Sequence, residues 1–276
     1  MNCLGGGSRV IKLLVTDLDG TLLDKDHLVN RCVASTLEKI RSMGLDITFA
    51  TGRALHATKP YTEALNIEKP VILLNGARIY DPVADKYLVQ YRFQKSSVVR
   101  ILNSEFTKRA TVGIFIEDET YLWNVHTGAS DYIYRDAMTY RSTKDPFSLD
   151  LNSVVKIVFS SFPEVLNDIY ESCKFELRNA AEIVRSERDL IEFLPPGVNK
   201  GTALEKLCSL LEIKMENVIA VGDSLNDLQM IKKAGVGVAV GNASEEVKRV
   251  SKIVLGANRG EGFKELIEHL QRLGEI

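Results

Sequence analysis

The 276-residue chain has only four cysteines, and long apolar stretches are missing from it. The cysteines lie too far apart for a metal-binding or redox motif, which predicts reduced thiols and argues against a disulfide framework. No apolar run approaches the roughly 18 residues that cross a bilayer, and the opening residues lack the apolar core of a signal peptide. We therefore expect a soluble, cytoplasmic protein.

A block of like charges is also missing. The chain has 35 basic and 37 acidic residues, and no long stretch of one sign marks a surface for nucleic acid or membrane. We expect neither as a partner, and we expect a monomer or small homo-oligomer. A content of 45% hydrophobic and 26% charged residues is typical of a folded protein, and this length is comfortable for two domains.

Short apolar strands alternate with helices in the first part of the chain. The segments "VIKLLVT", "LDITFATGR" and "PVILLNG" read as buried strands, and "NRCVASTLEKIRSMG" reads as a helix with Asn30 as N-cap. The segment "ALHATKPYTEALNI" predicts an interrupted helix. This alternation predicts an α/β fold with a Rossmann-like parallel sheet, whose ligand sites lie beyond the carboxyl ends of the strands.

The pattern changes after about residue 80. Predicted hairpins and helices follow one another until about residue 192, which indicates an α+β unit with an antiparallel sheet. The strand-helix alternation then returns with "KGTALEKLCSLLEI" and "NVIAVGD". We predict a catalytic core of residues 1–82 and 193–276, and an inserted cap of residues 83–192 that closes over the site and selects the substrate.

Two carboxylates, Asp17 and Asp19, follow the first predicted strand in "VTDLDGTLLD". Such pairs are often solvated turns, but this one stands at a strand end, and neither an EF-hand loop nor a P-loop can be built from the chain. Neighbouring anions are stable when a cation lies between them, and Mg²⁺ is the natural choice. One carboxylate could then attack phosphorus while the other transfers protons.

Partners for this chemistry stand at other strand ends. Thr51 and Gly52, in "TGR", offer a hydroxyl and backbone amides to a phosphate. Lys200, in "PPGVNKG", could neutralise charge on the nucleophile and on the phosphoryl oxygens. The segment "GDSLND" adds further polar groups beyond the strand "VIAV", and these are Asp223, Asn226 and Asp227.

Together these motifs resemble the haloacid dehalogenase superfamily of phosphatases, in its Cof-type branch with an inserted α/β cap. The resemblance covers nearly the whole chain, from "DLDGTLL" through "ATGR", "LNGA" and "PPGVNKG" to "GDSLNDLQMI". It implies Asp17 as nucleophile and Asp19 as general acid and base. It implies phosphate or substrate contacts from Thr51, Gly52, Lys200 and Asn226. It implies that Mg²⁺ is held by Asp17, by the backbone carbonyl of Asp19 and by Asp223, with Asp227 as a supporting acid.

The expected activity is Mg²⁺-dependent hydrolysis of phosphomonoesters of small metabolites, such as sugar or polyol phosphates, through an aspartyl-phosphate. Two alternatives stay open. A phosphohexomutase of the phosphomannomutase kind would share the scaffold and the nucleophile, and it would depend on a sugar bisphosphate activator. A non-catalytic sensor of phosphorylated ligands would not need both Asp17 and Asp19.

The remaining polar residues receive weaker interpretations. The four histidines share no metal spacing and are expected at surface or structural positions: His27, His56, His126 and His269. Arg53 and Asn75 belong to strand-end motifs and are candidates for substrate contact. The acidic turn "EDET" at residues 117–120 is expected to be solvated.

Overall fold

A computed structural model describes residues 11–126 and 140–273 of the chain. Its first layer is a five-stranded sheet in which every neighbouring pair is parallel. The strand order is β14-β13-β12-β1-β2. The bounds are Leu13–Thr16 for β1, Asp46–Phe49 for β2, Val218–Gly222 for β12, Val236–Ala239 for β13 and Ile253–Val254 for β14. The central strands β1 and β12 are buried throughout, as the apolar sequence runs predict.

In the described parts of the chain, six helices accompany this sheet. Their bounds are Arg31–Ser42 for α1, Leu55–Ala64 for α2, Lys200–Leu210 for α5, Leu228–Lys233 for α6, Glu245–Val250 for α7 and Phe263–Leu273 for α8. Helix α1 begins as predicted, because the Asn30 side chain accepts a hydrogen bond from the Val33 amide. Helix α2 is continuous through Pro60, where an interruption was expected. Pro60 has no backbone N–H to donate, but the helix continues past it.

The segment "PVILLNG" forms a strand, but it leaves the parallel sheet. Strand β3 (Val71–Leu73) pairs antiparallel with β4 (Arg78–Asp81), which pairs with β5 (Lys86–Gln90). An isolated parallel bridge between Ala50 and Ile72 joins β3 to the residue after β2. The reason is a tight reversal after β3, in which Leu74 and Asn75 both have positive φ. This reversal brings Asn75 next to the Thr51 backbone, whose carbonyl accepts the Asn75 amide.

A second large sheet of six strands is built from residues 111–194 and has the order β10-β11-β9-β6-β7-β8. Its neighbours are antiparallel except for β7 and β8. The bounds are Thr111–Ile116 for β6, Glu119–Trp123 for β7, Tyr140–Ser142 for β8, Val154–Ser160 for β9, Glu182–Glu187 for β10 and Leu190–Leu194 for β11. The predicted hairpins and the mixed α+β character are therefore confirmed.

The two faces of the six-stranded sheet pack against different partners. One face contacts helices α3 (Lys95–Leu102) and α4 (Pro163–Leu177) in a single apolar cluster. The other face contributes to a smaller cluster that also contains Leu74, Ala77 and Val198. Leu74 directly follows β3, Ala77 directly precedes β4, and Val198 lies between β11 and α5. The six-stranded sheet thus packs directly on the loops that surround the carboxyl edge of the parallel sheet.

The predicted domain boundaries fall at two places in this architecture. The first, between residues 82 and 83, lies in the turn between β4 and β5, and the second lies inside β11. The division into core and cap stays a prediction. Within the described residues, no helix is both long and apolar enough to span a membrane.

The acidic turn between β6 and β7 is more than a solvated loop. Asp118 accepts hydrogen bonds of 2.6 Å from both the Arg78 guanidinium and the Tyr87 hydroxyl. Glu117 pairs with Arg78 and with Arg92. The Arg78 side chain is only 2% exposed, although the two acids remain open to solvent. The expected solvated turn is confirmed by the exposure of Glu117 and Asp118, and in addition these acids neutralise a buried arginine of β4.

Candidate active site

Buried charges meet at the carboxyl edge of the parallel sheet. Asp17 follows β1, and one of its carboxylate oxygens lies 2.6 Å from the Lys200 ammonium. The same ammonium donates to Asp227 at 2.6 Å. Lys200 is the first residue of α5, where Asn199 and Thr202 form a reciprocal capping box. This capping box determines where α5 begins. Because Lys200 is the first residue of the helix, its side chain is thereby placed between two aspartates.

The loop after β12 brings two further carboxylates to Asp17. Asp227 accepts hydrogen bonds from the backbone amides of Asp223 and Ser224, at 3.0 and 3.1 Å. Asp223 accepts a hydrogen bond of 2.7 Å from the Thr21 hydroxyl. A Cβ atom at Gly20, where φ is +81°, would stand 2.5 Å from the Asp223 carboxylate. Glycine is therefore required where the "DGT" turn approaches the "GDS" turn.

The pKa values of Asp17 and Asp223 reflect their burial and the nearby charges of Lys200 and Asp227. Burial raises the pKa of Asp17 well above its ordinary value, Lys200 opposes the shift, and the neighbouring aspartates add to it. Burial, followed by the charge of Asp227, raises the pKa of Asp223 to about 6. Burial alone would lower the pKa of Lys200, but Asp17 and Asp227 hold it above its ordinary value. The cluster therefore has an excess of negative charge that a cation would offset.

The same residues are suited to a metal ion. Carboxylate oxygens of Asp17, Asp223 and Asp227 lie within 4.8 Å of one another. Asp227 already binds Lys200 through one oxygen and two backbone amides through the other, so it supports the site from behind. Asp17 and Asp223 are the carboxylates best placed to bind a hard dication through oxygen. The predicted third ligand, the carbonyl of Asp19, stays a prediction.

The Asp19 side chain is held at the edge of the site by two cationic or polar groups. Arg53 donates to both of its carboxylate oxygens, at 2.7 and 2.6 Å. The Nδ1 atom of His27 lies 2.8 Å from Asp19 Oδ1. His27 is expected at a surface or structural position, and the structure places its partly exposed ring against the predicted acid. No spacing pattern in the sequence predicts this contact, which depends on the loop path after β1.

Thr51 and Gly52 lie beside Asp17 but are buried to different degrees. Thr51 has no exposed surface, and its hydroxyl oxygen accepts a hydrogen bond of 3.1 Å from the Arg53 amide. Because that oxygen acts as an acceptor, its own hydrogen can be donated to a phosphate. Gly52 lines the cavity, and a Cβ atom there would stand 3.2 Å from Asn75 Nδ2. Thr51 and Lys200 lie behind the cavity wall, so their phosphate contacts stay predictions.

A cavity of about 220 Å³ lies over these groups. One side is formed by loops of the parallel sheet, including five of the predicted site residues: Asp17, Asp19, Gly52, Asp223 and Asn226. The other side is formed by the six-stranded sheet, through Ser186, Glu187 and Glu192. His27, Arg53 and Arg259 add basic groups to its wall. A ligand in this cavity would contact both sheets.

Two buried charges of the six-stranded sheet, Lys156 and Glu192, were not predicted from the sequence. They form an ion pair with side chains 0% and 2% exposed. Glu192 also accepts a hydrogen bond of 2.9 Å from Asn75, and Asn75 accepts one of 3.0 Å from Asn226. A signal was present, because "VVKIVF" and "LIEFL" each place one charge inside an apolar strand.

The family comparison agrees with this geometry. Residues 14–267 match the model of the haloacid dehalogenase-like hydrolases, and the chain belongs to this family. The predicted α/β core with an added cap region is also found in solved structures. A haloacid dehalogenase-like hydrolase from Bacteroides thetaiotaomicron superposes with a TM-score of 0.80 at 26% identity, over 94% of this chain and 99% of that one.

Curated relatives are named as phosphatases. An HMP-PP phosphatase of Cronobacter sakazakii is 30% identical over 231 residues, which are 84% of each chain. A 5-amino-6-(5-phospho-D-ribitylamino)uracil phosphatase of Bacillus subtilis is 29% identical over 264 residues, 94% of this chain and 95% of the relative. The predicted class, a hydrolase of phosphoric monoesters in this family, is confirmed by these similarities.

Proposed function

We propose that the protein hydrolyses phosphomonoesters of small metabolites, most directly sugar or polyol phosphates, with Mg²⁺ as cofactor. One observation carries the proposal: Asp17 lies in hydrogen-bond contact with Lys200 and beside Asp223, beneath a cavity of about 220 Å³. A nucleophilic carboxylate, a buried cation and a second anionic ligand are the groups that phosphoryl transfer through an aspartyl-phosphate requires.

The first half of the reaction forms the aspartyl-phosphate. An Asp17 oxygen attacks phosphorus, the bond to the leaving oxygen breaks, and that oxygen receives a proton from Asp19. Lys200 stabilises the negative charge on Asp17 before the attack. Bound Mg²⁺ supplies positive charge that favours the phosphate dianion at this site. Because Asp19 is held by Arg53 and His27, its carboxyl must exchange these partners before it reaches the leaving oxygen.

The second half returns the enzyme to its starting state. Asp19 removes a proton from water, the water oxygen attacks phosphorus, and the bond between phosphorus and Asp17 breaks. Inorganic phosphate leaves, and Asp17 is again a carboxylate. Hydrolysis instead of transfer to a second sugar distinguishes this proposal from a mutase.

The cavity supports a small leaving group with hydrogen-bond donors. A volume of about 220 Å³ suits a small ligand. On the side of the six-stranded sheet, Glu187 contributes a carboxylate and Ser186 a hydroxyl, which suit hydroxyl or amine donors better than a second phosphate. The substrate named for the Bacillus subtilis relative includes a phosphoribityl group, which is a polyol phosphate.

The deciding experiment is a screen of phosphorylated metabolites with Mg²⁺, in which released inorganic phosphate is measured. We expect release from at least one class of sugar or polyol phosphate, and none after chelation. Stable conversion between sugar phosphate isomers, dependent on a bisphosphate and without phosphate release, would contradict the proposal. A matched sample of Asp17→Asn controls for contaminating phosphatases.

A further inference from the structure

The ion pair of Lys156 and Glu192 is buried on a sheet face whose neighbouring side chains form an apolar cluster. Lys156 lies in β9 and Glu192 in β11, on the sheet face that packs against Leu74 and Ala77. A buried ion pair adds little net stability compared with well-packed apolar side chains, because both charges lose their hydration. Stability alone therefore does not account for two charges at this position.

Lys156 reaches across to the parallel sheet. Its ammonium donates a hydrogen bond of 3.2 Å to the carbonyl of Gly52. The other side of the same peptide group, the Arg53 amide, donates to the Thr51 hydroxyl oxygen at 3.1 Å. The peptide between Gly52 and Arg53 is thus held on both sides, and the Thr51 hydroxyl is left with its hydrogen to donate.

Glu192 contacts a second part of the site, which contains Asn75 and Asn226. Its carboxylate can only accept hydrogen bonds, so Asn75 must turn its NH₂ group toward it, at 2.9 Å. The side-chain oxygen of Asn75, Oδ1, then faces Asn226 and accepts a hydrogen bond of 3.0 Å from the Asn226 NH₂ group. The charge of Glu192 therefore sets the direction of both amides. Asn226 lines the cavity at the end of this chain.

We propose that Lys156 and Glu192 form a positioning pair, through which the six-stranded sheet orients both predicted phosphate-binding arms of the parallel sheet, Thr51-Gly52 and Asn226. The inference rests on the proposed function. The pair acts through Gly52 and Asn75, without contact to the phosphate itself. The affinity for phosphate then depends on two charges that belong to the other sheet.

The test compares a double variant with the parent protein. Lys156→Met with Glu192→Gln removes both charges together and leaves neither unpaired. The dissociation constant of inorganic phosphate, measured by titration calorimetry with Mg²⁺ present, should rise about tenfold, since hydrogen bonds that involve charged groups are lost. The KM for p-nitrophenyl phosphate should rise by a similar factor, and kcat should change much less.

A matched control removes another ion pair from the same part of the chain. Arg109 and Asp168 lie 2.7 Å apart on the surface. Arg109→Gln with Asp168→Asn should leave the phosphate dissociation constant and the KM unchanged. An equal rise in this control would overturn the inference, because it would show a general response to lost charges.

Two further outcomes would overturn the positioning role. One is a double variant with a lower melting temperature but the parent's phosphate affinity, which would make the pair merely structural. The other is an altered ranking of substrates at unchanged phosphate affinity, which would make Glu192 a substrate contact. A parent protein that binds phosphate but hydrolyses no ester would refute the proposed function alone, since the calorimetric comparison needs no turnover.

If the double variant does not fold, Asn75→Gly tests the Glu192 arm separately. It leaves the ion pair intact and removes the link to Asn226, and glycine accepts the positive φ of this position. The same rise of about tenfold in the phosphate dissociation constant is expected. An unchanged constant would overturn the inference.

Discussion

The Lys200 ammonium lies 2.6 Å from Asp17 in a region where the lysine side chain is fully buried and the aspartate side chain is 6% exposed. The same ammonium is 2.6 Å from Asp227, which is also fully buried. The lysine therefore separates two anions that would otherwise repel each other in a medium of low dielectric constant. Its removal affects stability as well as chemistry.

Lys200→Met should destabilise the protein by about 3–5 kcal/mol, because it leaves buried carboxylates without their cation. Urea unfolding of the metal-free protein measures this loss. Addition of Asp227→Asn to the variant should recover part of the stability. The surface pair Lys233–Glu205 provides the control, and Lys233→Met should cost less than about 1 kcal/mol. Equal losses for the two lysine variants would contradict the buried ion-pair interpretation.

Mg²⁺ should raise the melting temperature at pH 7.5, and the increase should shrink below pH 6. The pKa of Asp223 is raised to about 6, so protons compete with the metal in this range.

For the same reason, the metal-free protein binds a proton at Asp223 that the unfolded chain has released, and its stability falls as the pH rises from about 4 through 6. Thermal denaturation across pH, with and without Mg²⁺, measures both effects. A metal effect that does not vary with pH would exclude Asp223 as a ligand.

Strand-end residues are the part of the site that the sequence predicts well. Asp17 and Asp223 each follow an apolar run, and parallel strands bring such ends to one edge of a sheet. This argument fails for "PVILLNG", since the positive φ values of Leu74 and Asn75 turn the chain back before β3 can join the parallel sheet. Such backbone choices depend on tertiary packing that no local pattern encodes.

Contacts between distant side chains are the part that the sequence does not predict. The contact of His27 with Asp19 depends on a loop in which His27 has a φ of 59°. The pair of Lys156 and Glu192 depends on the register of β9 and β11, where Glu192 lies opposite Val158. A charge inside an apolar strand indicates a buried partner, but its identity follows only from the register.

Asp17→Asn should abolish turnover and preserve the fold. The variant keeps the shape of the side chain but removes the attacking anion, and loss of the covalent route should lower kcat by at least about a thousandfold. Phosphate release and the melting temperature are measured together. Because burial already disfavours the Asp17 anion, the melting temperature should not fall by more than a few degrees. A folded variant with near-normal phosphate release would show that another group attacks phosphorus.

His27→Asn should lower kcat for a sugar phosphate several-fold and change KM little. Asparagine tolerates the positive φ of this position, so the loop is retained while the ring contact with Asp19 is lost. The matched control is His56→Asn, on the exposed side of α2, which should have parent activity. If both variants had parent kcat values, the contact between His27 and Asp19 would have no part in turnover.

Asp19→Asn should separate the two halves of the reaction. The p-nitrophenolate group leaves without a proton, so the first half can proceed, whereas the second half lacks the base that activates water. Rapid mixing with p-nitrophenyl phosphate should release about one equivalent of p-nitrophenolate per protein molecule, followed by a steady rate at least about a hundredfold below the parent. The burst should disappear when Asp17→Asn is added. A linear time course at the parent rate would show that Asp19 transfers no proton in the second half, and its bonds to Arg53 and His27 would then be structural.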